Sequence, residues 1–74
     1  MGERMGAERF RPAVHAVLGV DPGTERRYLA AAMEAGLEHG ASWHSIVDVL
    51  IEAGLDEAQA HPLADALVKV RDRT

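Results

Sequence analysis

With 74 residues, no cysteine and a formal net charge of −4, the chain is at most one domain and carries no disulfide or thiolate–zinc staple. A domain this short buries a small share of its surface, so its stability must come from well-packed helices, a partner or self-association. Phe10, Tyr28 and Trp43 are its only Phe, Tyr and Trp, which leaves the core to Leu, Val, Ile and Ala.

Apolar positions recur at helical spacing along the whole chain. Phe10, Ala13, Val14, Val17 and Leu18 follow i, i+3, i+4, i+7, i+8, the pattern of an amphipathic helix. Pro12 suits the first turn of that helix, so the spacing predicts a start near Arg11. "GVDPGT" ends it with turn-forming residues. A second helix is expected with Thr24 as its cap and a stripe of Leu29, Ala32, Met33, Gly36 and Leu37, closed by "HGAS". There Ala32 and Gly36, four apart, would let a neighbouring helix approach closely, or the helix frays at Gly36, which costs about 1 kcal/mol against alanine in a helix interior.

The third helix is predicted to begin at the cap Ser42 and to bury Trp43, Ile46, Val47, Leu50 and Ile51. Ser45, Asp48, Val49 and Glu52 then fall on its polar side, where the apolar Val49 reads either as a contact with an acidic rim or as a sign that this helix is central and buried on two sides. Gly54 stops it, with Leu55 as the hydrophobic contact that follows. The fourth helix opens at Asp56, with Gln59 three residues on, and offers Ala60, Leu63, Ala64, Leu67, Val68 and Val70 to the core. Pro62 lies about six residues inside it and is expected to kink or break it. Lys69, Arg71 and Arg73 suit its C-terminal end.

No stretch shows the sustained alternation of a strand. The expected fold is all-α: a compact antiparallel bundle of four short helices forming one domain over residues 1–74, with residues 1–8 flexible. The N-terminal "MGERMGAERF" is charged and interrupted by glycine, without the apolar core of a signal peptide, and "YLAAAM" is too short to cross a bilayer. An intracellular, cytoplasmic protein is the expectation. Lys69 is the only lysine against seven arginines, a bias of GC-rich coding that suggests a bacterial or phage origin.

Charge is segregated. Residues 28–68 hold seven acids and no Lys or Arg, while both ends are basic. An acidic middle disfavours phosphate contact there and favours basic partners or contact with the chain's own ends.

Residues 49–63 have the outline of a helix-turn-helix. The would-be recognition helix, however, begins "DEAQAHPLAD", with acids and a proline where a DNA reader places Arg, Lys, Asn or Gln. The pattern "L..AGLDEAQA..LA..LV" resembles the helical hairpin of ubiquitin-associated-type domains. That likeness is confined to residues 46–68 and to capping and packing positions, so it implies a hairpin and no particular partner. Acyl carrier proteins need an Asp-Ser-Leu-type site at the start of a helix. Here the nearest text is His44–Ser45–Ile46, inside a helix and lacking the Asp.

His44 and Asp48 are i, i+4, with Glu38 and His39 just before, but such pairs are common on solvated helix faces. No metal and no cofactor are expected. Without cysteine, a Ser–His–acid pattern or a glycine-rich phosphate loop, no catalytic set can be proposed, and the chain reads as a non-enzyme.

Binding surfaces remain. Trp43, Val49, Asp48 and Glu52, with Glu34 and Glu38 steering, would present an apolar patch with an acidic rim to a basic protein surface. The expectation is therefore a small interaction module, an adaptor, regulator or inhibitor. Two other readings use different residues. A nucleic-acid-associated regulator would use Arg9, Arg11, Arg26 and Arg27. A homo-oligomer, such as a homodimer, would use a ridge of Leu63, Leu67 and Val70.

Overall fold

A computed structural model of the chain describes residues 7–73. Most of the stretch expected to be flexible lies outside them. Ala7 and Glu8 form a helical turn, and the Phe10 N–H donates to the Ala7 carbonyl at 3.1 Å. Four α-helices follow: α1 (Arg11–Leu18), α2 (Pro22–Glu34), α3 (Trp43–Glu52) and α4 (Glu57–Arg73), with a short 3-10 turn at Leu37–His39. Among the described residues there is no strand. The bundle expected from periodicity is the fold observed.

The long helix α4 is the organising element. It packs against α1 and α3, while α1 also packs on α2 and α2 on α3. The core is Phe10, Val14 and Leu18 from the first segment, Tyr28, Leu29 and Ala32 from α2, and Leu37 from the 3-10 turn. Ile46, Val47 and Leu50 of α3 and Ala60, Leu63, Ala64 and Leu67 of α4 complete it, with Leu55 between them. Burying such side chains is the main source of stability available to a chain without staples.

Several local expectations need correction. The cap of α2 is Asp21, not Thr24. The Asp21 carboxylate accepts from the Thr24 N–H at 3.0 Å and from the Thr24 hydroxyl at 2.8 Å, with Pro22 at the first helical position. Aspartate ahead of Pro-Gly-Thr places the oxygen where the orphan N–H groups are, and threonine sits one turn too far in.

Gly36 is not inside a helix. It takes φ 96°, just beyond α2, and lets the chain turn into the 3-10 segment. Its N–H donates to the Met33 carbonyl at 3.0 Å, and its carbonyl accepts from Ala41. Helical continuity is thus interrupted at the end of the second helix rather than in the last one.

The break expected at Pro62 does not occur; α4 runs through it. Pro62 and Ala58 are both exposed, so the carbonyl that loses its bond to a residue-62 N–H is left to water.

The buried face of α3 is also turned from its expected position. Ile46, Val47 and Leu50 are buried, and Val49 is half-buried against the core. Ile51 stands 39% exposed. The stripe centres between Ile46 and Leu50, because α3 is covered by α4 on one flank and by α2 on the other. Val49, expected on the polar side, lies on the α3 flank opposite Ile51. Leu63 and Leu67, expected as a ridge between chains, are fully buried within this one, and Val70 is half-buried beside them. They build the core and present no ridge to a second copy.

Candidate interaction surface

The surface begins at a helix start. The Ser42 hydroxyl accepts from the Ser45 N–H at 3.2 Å and fixes the first turn of α3, so Trp43 is its first residue. A side chain there leans toward the helix N-terminus and has no preceding turn beneath it. The indole reaches across to α4, where the His61 ring lies 5.1 Å away, tilted by 57°. The His44 ring stands edge-on at 5.2 Å and 87°. Both fall within the separations at which aromatic rings attract. Trp43 is half-buried, while His44 and His61 are exposed.

From this cluster an apolar line runs along α3. Val47 and Ile51 are one and two turns beyond Trp43, on the same flank. Asp48 lies one turn from His44 and next to Ile51 around the helix, and Glu52 continues the acidic edge. Both acids are exposed, and neither has an ion pair within the described residues. On α4, Glu57 approaches His61 at 3.9 Å and Asp65 approaches Lys69 at 3.6 Å. These are exposed pairs of the kind that contribute little to stability.

The other expected site residues are dispersed. Val49 is two residues from Ile51, which puts it about 160° away around α3 and on the other flank of the core stripe. Glu38 is engaged by Arg9 at 3.4 Å, so its charge is offset within the chain. Glu34 is exposed at the end of α2. Trp43, Asp48 and Glu52 thus share α3 with Ile51, while His61 joins from α4. Ile51 and His61 were not singled out by the sequence. Ile51 had the spacing of a core residue, and His61 gains its role only through a contact between helices.

The four N-terminal arginines do not form one basic face. Arg27 donates to the Ala53 carbonyl at 2.8 Å, covering the end of α3, and lies over the Tyr28 ring at 5.3 Å. Arg9 lies over the Phe10 ring at 4.8 Å while it pairs with Glu38. Arg11 and Arg26 flank a shallow groove between α1 and α2, floored by Val14 and Leu29 and closed at one end by a 2.7 Å contact between His15 and Glu25.

Among the described residues no three His, Asp or Glu side chains converge to hold a metal ion, so Glu38, His39, His44 and Asp48 do not form one site. No helix of the described residues is long and apolar enough to cross a membrane. Comparisons with protein-family models, curated proteins and solved structures find no match to this chain.

Proposed function

We propose that the chain is a small non-enzymatic interaction module that docks the outer face of the α3–α4 hairpin onto a basic surface of another protein. The reading rests on one observation. Trp43 and Ile51 present apolar surface along α3, and Asp48, an exposed acid with no ion pair among the described residues, lies beside Ile51 around the helix, in a segment without Lys or Arg. Tryptophan is enriched among the residues that anchor protein interfaces, and a rim of one charge sets orientation and on-rate. Glu52 extends that rim, and Glu34 adds long-range steering. Val49, on the opposite flank of α3 from Ile51, is not part of this surface; Ile51 takes its place.

The test is capture of a partner by the tagged chain, compared with the charge-reversed D48K/E52K chain and with an I51S chain. A protein retained by the unaltered chain, released by salt and not retained by either variant supports the reading. Retention unchanged by salt and by both variants contradicts it.

A further inference from the structure

The chain treats its three large aromatics differently. Phe10 carries the guanidinium of Arg9 over its ring at 4.8 Å, and Tyr28 carries that of Arg27 at 5.3 Å. Trp43, whose indole is the strongest acceptor of a cation among aromatic rings, has no cation over it among the described residues. Its ring is held instead by His44 and His61.

Acids gather around this arrangement. Glu57 is 3.9 Å from the His61 imidazole. Asp48 lies one turn from His44 on α3, and Asp65 one turn from His61 on α4. Asp48 has no ion pair among the described residues, and Glu57 pairs only with His61 across an exposed 3.9 Å contact.

We propose that the Trp43–His44–His61 cluster seats an arginine side chain of the partner protein, its guanidinium stacked on the exposed part of the indole and its N–H groups turned to Asp48 or Glu57. This rests on the docking surface proposed above and names the group that enters it. Arginine fits better than lysine. A planar, weakly hydrated guanidinium stacks on an aromatic face and bonds a carboxylate with two parallel N–H groups, whereas a compact ammonium holds its water more strongly.

Trp43 is the only tryptophan, so its fluorescence reports this site alone. The experiment titrates the full chain with three short peptides of one sequence, bearing arginine, lysine or the uncharged arginine isostere citrulline at the same positions. The arginine peptide is expected to change the emission saturably, the lysine peptide to bind more weakly, and the citrulline peptide to have no effect. Calorimetry on W43F, which keeps a ring of similar bulk, is expected to show about tenfold weaker binding of the arginine peptide, with an unchanged circular dichroism spectrum.

Equal binding of the arginine and lysine peptides, unaltered in W43F but abolished in D48K/E52K, overturns the arginine seat and leaves the acidic docking surface standing. Citrulline binding as well as arginine also overturns the seat. Failure of every cationic peptide to bind overturns both.

Discussion

Arg71 Nη1 donates to the Ala41 carbonyl at 2.7 Å and to the Leu37 carbonyl at 3.2 Å, which ties the last turn of α4 to the connection between α2 and α3. The guanidinium was expected to answer the C-terminal end of its own helix; it answers another segment's carbonyls instead. The bridged loop ends at Ser42, so the same contact sets the position at which Trp43 enters α3. R71A is expected to cost about 1.5–3 kcal/mol, the range for hydrogen bonds that involve a charged group. Denaturant unfolding followed by Trp43 emission measures it. R71K, which keeps the charge without the fork, should recover only part of the loss.

The two turn glycines should respond differently to alanine. Gly36 at φ 96° has room for a methyl group, with the Ala41 Cβ 3.7 Å from the added carbon, so G36A carries only the backbone penalty of about 1–2 kcal/mol. At Gly54, φ 111°, the added carbon would also meet Arg27 Nη2 at 3.1 Å. G54A should therefore cost more, by disturbing the bond from Arg27 to Ala53. Chemical denaturation of both variants, with R27A and R27A/G54A, checks this: the excess over G36A should vanish in the R27A background.

Asp21 titrates as part of the α2 cap. The hydrogen bond from the Thr24 hydroxyl, aided by the Thr24 N–H, lowers its pKa below the ordinary 3.8. A carboxyl depressed in the folded state stabilises the fold above its unfolded value, and that contribution disappears as pH falls through the folded one. D21N should flatten the stability profile below pH 3.8 and leave its slope near neutrality unchanged. Thermal unfolding across acidic pH measures both.

Pro62 interrupts the hydrogen bonding of a helix that continues through it. P62A restores a donor to the Ala58 carbonyl and should stabilise the chain by about 1–2 kcal/mol. That is less than the roughly 3 kcal/mol difference in propensity, because proline also restricts the unfolded chain. L63A, by contrast, opens a cavity under a fully buried side chain and should cost about 2–5 kcal/mol. Paired melts of the two variants separate helix propensity from packing.

The fold was legible in the sequence where periodicity carried it. Val14, Leu18, Ile46, Leu50, Leu63 and Leu67 recur at helical spacing and are buried as expected. Glycine and proline misled for a common reason, that their effect depends on what surrounds them. Gly36 reads as a residue inside a stripe, but its positive φ ends the helix. Pro62 reads as a break, yet its outward placement leaves the freed carbonyl to solvent.

The candidate surface was legible only in part. Trp43, Asp48 and Glu52 follow from composition and position. Exchanging Val49 for Ile51 required knowing which neighbours flank α3, and the pairing of Glu38 with Arg9 spans 29 positions of sequence, which no local pattern encodes.

The most direct measurement is the affinity of the chain for its captured partner as a function of salt, for the unaltered protein and for D48K/E52K. Binding through the acidic edge of α3 predicts an affinity that weakens steadily with salt and falls at least tenfold on charge reversal, with I51S weakened at every salt concentration. An affinity indifferent to salt, to charge reversal and to the loss of Ile51 would contradict the docking surface.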